Sequence, residues 1–262
     1  MAIVVLGSVS GAPGVTTLAV GLALAWPRSV VLADCDPGAH QAVLAGFLAG
    51  QSSDGKGLLR VAEAHRDRRP LTEVILDQTL PLVTDGDHQR HFLPGFNRPG
   101  SAAIFAGVWA DLVAAFDALG DIGVDVVVDA GRLGPRGLPA PLADAAAFTG
   151  LVVRSDLRAV VSAQVHLPVL VEDRRNHAGD SRLGLIVVGE GRPYSAREIG
   201  RALAVRVTGT IPWDPSSAGH LSDGRDRARR FDTSAFARAL HTTATDLSDR
   251  LELHAELIGG RS

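Results

Sequence analysis

The sequence predicts an α/β domain: a mainly parallel, twisted sheet covered by helices on both faces. Two observations carry this. Short β-branched runs alternate along the chain with Ala/Leu-rich stretches at helical spacing. The strand-like runs are also continuously apolar instead of alternating, as strands buried on both faces must be. Such alternation implies right-handed crossovers between parallel strands. The 262 residues contain no Ser/Gly-rich linker and no repeat, so one domain over 1–262 is expected, long enough to bury a full core.

In chain order, Ile3–Leu6, Val30–Ala33, Val124–Asp129, Leu151–Val153, Leu185–Val188 and Val205–Ile211 read as buried strands. Thr16–Trp26, Ser101–Leu119, Leu157–Val171 and Ser195–Ala204 read as helices between them. The region from Gly50 to Gly100 is the least regular. It holds a helix at Gly57–His65, a strand or hairpin near Glu73–Val83, a polar turn at Asp85-Gly86-Asp87 and a loop from Leu93 to Gly100. A C-terminal helix is expected over about 232–258, with Phe231-Asp232 as staple and N-cap and Phe236 closing the staple.

Composition excludes several classes. A net charge of −3 argues against a surface that coats nucleic acid. The single cysteine, Cys35, rules out an internal disulfide framework and suits a reducing cytoplasm. The N-terminal apolar run lacks a basic flank and ends at Gly7, which reads as a buried strand and not as a secretory signal. No stretch approaches the ~18 apolar residues of a membrane span.

Three motifs carry chemistry. The first is Gly7-Ser8-Val9-Ser10-Gly11-Ala12-Pro13-Gly14-Val15-Thr16-Thr17, between a strand and a helix. In such a layout backbone N–H groups and the positive helix end face a phosphate, and the hydroxyl of Thr16 stands where a loop threonine holds Mg²⁺. The second, Asp34-Cys35-Asp36-Pro37-Gly38, closes the strand that begins at Val30. The third, Val126-Val127-Val128-Asp129-Ala130-Gly131, also ends a strand in an acid. Phosphoryl-transfer sites need such carboxylates to hold Mg²⁺ and orient water, at the strand ends where ligands of open sheets gather.

The order of these motifs, extended by Ile211-Pro212-Trp213-Asp214, resembles the MinD/ParA family of deviant P-loop ATPases over roughly residues 1–240. The resemblance implies a P-loop NTPase, SIMIBI-like architecture with ATP or ADP and Mg²⁺ as cofactors. It implies that Gly11, Gly14, Val15, Thr16 and Thr17 line the phosphates, and that Trp213 and Asp214 lie near the base. Asp36 matches the residue that positions the hydrolytic water. Thr16, Asp34 and Asp129 match the metal side of the site, and the loop from Arg132 to Pro141 matches the segment that senses the γ-phosphate.

The sequence departs from that pattern where the family has its charge. The family's loop carries two lysines, and here Ser10 and Val15 stand in those places. A charge-assisted phosphate contact is worth about 1.5–3 kcal/mol, so two lost contacts remove roughly 10²–10⁴ in affinity. Lys56 is the only lysine and reads as a solvated loop residue; Arg132 and Arg136 are either surface residues or a source of charge from the sensing loop. Gly189-Glu190 replaces the family's Asn-Arg at the base. Two classes of function follow. One is a pseudo-ATPase scaffold that organises a protein partner or pairs with a second copy, as in the TadZ/CpaE-like branch that positions pilus or secretion machinery. The other is a slow but active ATPase in plasmid or chromosome partitioning or in cellular positioning.

Further features read plainly. The C-terminal stripe Phe236, Leu240, Ala244, Leu247, Leu251 packs on the domain or on a partner copy, and its acidic opposite face repels anionic lipid. Arg225, Arg227, Arg229 and Arg230 are interleaved with Asp223, Asp226 and Asp232, which reads as a solvated segment ahead of a DNA-binding patch. His88 and His91 with Asp85 and Asp87 form a polar loop with only a weak metal-like spacing. Cys35, between two carboxylates, has a raised thiol pKa and is a poor nucleophile.

Overall fold

The computed structural model describes residues 3–10, 13–84, 87–98, 100–135, 137–175 and 182–259. Its strands are β1 (Ile3–Ser8), β2 (Ser29–Asp34), β3 (Leu80–Val83), β4 (Arg90–Leu93), β5 (Val124–Arg132), β6 (Phe148–Arg154), β7 (Leu183–Val188) and β8 (Val207–Ile211). They form one sheet in the order β3-β4-β2-β5-β1-β6-β7-β8. Every pairing is parallel except that of β3 with β4. Pro81 on β3 cannot donate to a ladder, which is acceptable on this edge strand.

Side chains alternate along each strand between two apolar clusters. Ile3, Val5, Val31, Ala33, Val126 and Val128 face one; Val4, Leu6, Val30, Leu32 and Val127 face the other. The first cluster is covered by α3 (Leu58–Arg66), α4 (Leu71–Val74), α6 (Trp109–Leu119), α7 (Ala140–Ala145), α8 (Leu157–Arg175) and α9 (Ala196–Leu203). The second is covered by α1 (Val15–Ala25), α2 (Ala42–Ala45), α10 (Pro215–Ser222) and α11 (Ala235–Gly259). The expected two-faced α/β architecture is therefore present.

Three boundaries differ from expectation. Ser101–Leu119 is not one helix: α5 (Ser101–Ile104) and a 3₁₀ turn at Phe105–Gly107 precede α6, with a 76° bend. The bend turns Phe105 into the core, edge-on between Phe96 and Trp109 at centroid distances of 5.3 and 5.0 Å. The cap of α11 is Ser234, whose Oγ accepts from Ala237 N at 3.0 Å, and not Asp232, which pairs with Arg227. Strand β4 occupies residues expected in a polar turn and loop. Arg90 and His91 at its start are half-buried and only Phe92 and Leu93 enter the core, so its apolar run is too short to read. Asp85 and Gly86 lie outside the described residues.

The stripe on α11 does pack on the domain. Phe236, Leu240, Ala244, Leu247 and Leu251 are all buried, and Leu240 presses so closely on α1 that a Cβ at Gly21 would sit 2.6 Å from it. At the far end, Arg28 bonds both Glu252 and Asp125, and Trp26 Nε1 donates to Asp125 at 2.9 Å. Leu247 is wholly buried. Leu247→Ala is expected to cost about 2–5 kcal/mol in urea unfolding, the range for a buried leucine. A loss under about 1 kcal/mol would mean that α11 is not seated as described. No single helix among the described residues is long and apolar enough to cross a membrane.

Candidate functional site

In the sheet order, β2, β5 and β1 are consecutive, so three motifs far apart in sequence end side by side at the carboxyl edge. The loop after β1 starts with Ser8, whose Oγ donates to Ser10 O at 2.9 Å. Gly11 and Ala12 lie outside the described residues. Gly14 opens α1 at φ +90, and no side chain caps that helix end. Glycine is required there by its backbone and not by space, since the nearest atom to a Cβ would be 3.9 Å away. The opening N–H groups of α1 have no intrahelical acceptor, no acid sits in its first turn, and the helix dipole points its positive end outward.

Below this opening stand the carboxylates. Asp34 and Asp129 are register partners on β2 and β5, and both are buried. Burial, then the neighbouring charge of Asp129, pushes the Asp34 carboxyl up to about 8. Burial pushes Asp129 up to about 6, against the Thr16 hydroxyl and the Gly131 N–H, which donates to Oδ1 at 2.8 Å. The other oxygen, Asp129 Oδ2, is buried with no hydrogen-bond partner. Asp36 is half-buried and accepts from Gly38 N at 2.7 Å. Two glycines let the backbone close on these acids. A Cβ at Gly131, where φ is +58, would lie 2.1 Å from Asp36 Cγ, and one at Gly95 would lie 2.5 Å from Asp34 Cγ. Between the acids, the Cys35 thiol is buried and its pKa is raised well above the ordinary value by burial and by Asp34 and Asp129, as expected.

Beside the loop, Gly14, Thr17 and Leu18 share a cleft of about 300 Å³ with Ile211, Trp213 and Asp214. Trp213 forms part of its wall, with the Arg154 guanidinium 4.5 Å from the ring centroid. The Asp214 carboxylate is already engaged. It caps α10, accepting from Ser216 N, Ser217 N and Ser217 Oγ, which hold its pKa below the usual carboxylate range. Asp214 therefore shapes the cleft by turning the chain, not by offering a free carboxylate.

No protein-family model matches the chain, and no curated protein sequence does. Among solved structures it is similar to a ParA family ATPase from Chlorobium tepidum, 14% identical with a TM-score of 0.71 over 93% of this chain and 98% of that one. The MinC:MinD cell division complex of Aquifex aeolicus matches at 17% identity and 0.70, covering 95% and 96%. MinD of Pyrococcus horikoshii complexed with Mg-ADP matches at 18% identity and 0.61, covering 94% and 95%. The chain has the ParA/MinD fold.

Within that fold the altered positions find local explanations. Val15 turns its side chain into the apolar cluster beneath α1, with 6% of its surface exposed, so it can offer a phosphate only its backbone N–H. The expectation that Val15 lines the site is corrected to that extent. Glu190 accepts from Ala196 N at 3.0 Å at the start of α9, while Gly189 lies against Trp213. Lys56 Nζ donates to Thr79 O at 3.0 Å, which employs it at the β3 edge. Arg132 is exposed at the end of β5, and Arg136 lies outside the described residues. Arg225 pairs with Asp223 and Arg227 with Asp232, in keeping with a solvated segment. His91 Nδ1 meets Thr79 Oγ1 at 3.1 Å, and among the described residues no three His, Cys, Asp or Glu side chains converge on a metal position. Sequence reasoning assigned no role to Gly95, Gly131 or His40. Only for Gly131 was there a signal, its place two residues after a strand-end acid.

Proposed function

We propose that this is a MinD/ParA-like protein whose backbone cradle binds a Mg²⁺–nucleotide weakly and which acts as a pseudo-ATPase scaffold for a protein assembly. One observation carries the reading. The α1 opening faces buried carboxylates with no lysine beside it, because the position that would supply one is a valine packed in the core. Mg²⁺ fits the site: Asp129 Oδ2 lacks a partner next to the Thr16 hydroxyl, and Mg²⁺ is commonly held by one or two carboxylates plus phosphate oxygens. Bound there, it would supply charge neutralisation to the phosphates. Thr16 and Asp129 would hold it, Asp34 would support it from β2, Gly14 and Thr17 would offer N–H groups, and Trp213 would flank the base. Gly11 is assigned to the phosphates by the motif alone.

Calorimetric titration with ATP and ADP, with and without Mg²⁺, tests this. Micromolar to millimolar Mg²⁺-dependent binding without turnover is the expected result; no binding at millimolar nucleotide overturns the nucleotide assignment. Asp36 favours a second reading, a slow ATPase, because its carboxylate stands half-buried near Asp129 and, among the described residues, accepts one backbone N–H. Turnover that disappears in Asp36→Asn would establish that reading instead.

The scaffold reading needs a docking surface, and we assign it to the exposed apolar row of α8. Leu157, Val161, Val165 and Val169 recur every fourth residue and are 60%, 49%, 68% and 36% exposed. The helix is tied to the phosphate loop by Ser162 Oγ, which donates to Val9 O at 3.1 Å. Arg158 is the only charged residue between Leu157 and Val171, so two copies pair across this face without opposed charge rows. A second copy is the occupant we assign. Sedimentation should give the mass of two chains, and Val165→Glu should return one chain with an unchanged melting temperature. A parent protein that sediments as one chain with nucleotide present rules the pairing out.

A further inference from the structure

The carboxylate cluster is short of positive charge. Among the described residues no ion pair involves Asp34, Asp36 or Asp129. A nucleotide seated on the α1 opening would bring several more negative charges to the same place. One basic side chain stands close enough to act on Asp129: the His40 imidazole.

His40 is placed by its turn. The ring folds back over Gly38, where a Cβ would lie 2.3 Å from His40 Nε2 and 3.0 Å from Asp36 Oδ1. The imidazole and the Asp36 carboxylate thus flank one point, kept open by a residue without a side chain. The residues on either side, Ala39 at φ +54 and Gln41 at φ +52, both hold a left-handed backbone that such residues rarely adopt. Gln41 is anchored by its Nε2, which donates to Phe96 O at 2.7 Å. The ring itself is exposed and free to reach a ligand. A second observation points to a ligand at this spot: the buried, unpartnered Oδ2 of Asp129 under the same opening.

We propose that His40 is a phosphate-binding residue, its ring N–H donating to the terminal phosphate of a nucleoside triphosphate held on the α1 opening. This rests on the nucleotide reading above and adds a ring N–H donor to the backbone groups of the loop.

Calorimetry on the full chain with Mg-ATP and Mg-ADP, for the parent and for His40→Ala, His40→Gln and His40→Lys, tests it. The alanine and glutamine variants should lose about tenfold or more in Mg-ATP affinity, the low end for a charge-assisted contact. They should change Mg-ADP affinity by less than about threefold, and lysine should restore Mg-ATP binding. Melting temperatures should not move, because the ring is exposed. Unchanged Mg-ATP affinity in both neutral variants overturns the assignment and leaves the nucleotide reading standing. A parent that binds no Mg-ATP overturns both.

Discussion

Asp34→Asn is expected to raise the melting temperature of the nucleotide-free protein at pH 8 and to leave it unchanged near pH 4. The reason is the direction in which burial moves the two strand-end acids. Asp34 is pushed up to about 8 and Asp129 to about 6, from an unfolded value near 3.8. A carboxyl that holds its proton more tightly when folded stabilises the fold fully below its unfolded pKa. It loses that advantage as pH rises through the folded value. The parent should therefore weaken between about pH 4 and pH 8. Ordinary proteins, whose acids are paired when folded, behave in the opposite way over the lower part of this range. Asparagine cannot ionise, and its Oδ1 can still accept from Asp36 N, as Asp34 Oδ1 does at 3.1 Å. One pH unit of displacement is worth about 1.4 kcal/mol, so the gain at pH 8 should reach several kcal/mol. Thermal melts of both proteins from pH 4 to 8 check this. Parallel curves would mean that Asp34 titrates near its ordinary value. If Mg²⁺ binds as proposed above, the substitution should also weaken Mg²⁺-dependent nucleotide binding.

What the sequence made legible follows from burial. β1, β2 and β5 are covered on both faces, so they appear as unbroken apolar runs, and the acids at their ends stand out against them. The strand β4 and the helix α10 did not stand out. β4 begins with Arg90 and His91, and α10 is Pro215-Ser216-Ser217-Ala218-Gly219 in its first five residues, held by the Asp214 cap more than by an apolar stripe. Val15 was legible as a departure, but its burial in the α1 cluster was not. The roles of Gly95, Gly131 and His40 depend on chain segments approaching from elsewhere in the fold, and no local pattern encodes such an approach.

Gly131→Ala should damage the site from behind. At φ +58 alanine is strained by about 1 kcal/mol, and its Cβ would lie 2.1 Å from Asp36 Cγ and 2.2 Å from Oδ2. A short aspartate cannot swing clear without giving up the Gly38 N–H that it accepts at 2.7 Å. Overpacking of this kind costs typically 1–3 kcal/mol, for a total of about 2–4. The cause is separable from general strain by a double-mutant cycle with Asp36→Ala, which empties the space that the new methyl group needs. The Gly131→Ala loss should shrink to about 1 kcal/mol in the Asp36→Ala background, a coupling of about 1–3 kcal/mol between the two positions. Additive losses in urea unfolding would mean that the Asp36 carboxylate does not rest on the Gly131 backbone. A large coupling would seat the Asp36 carboxylate against the Gly131 backbone, two residues along β5 from Asp129.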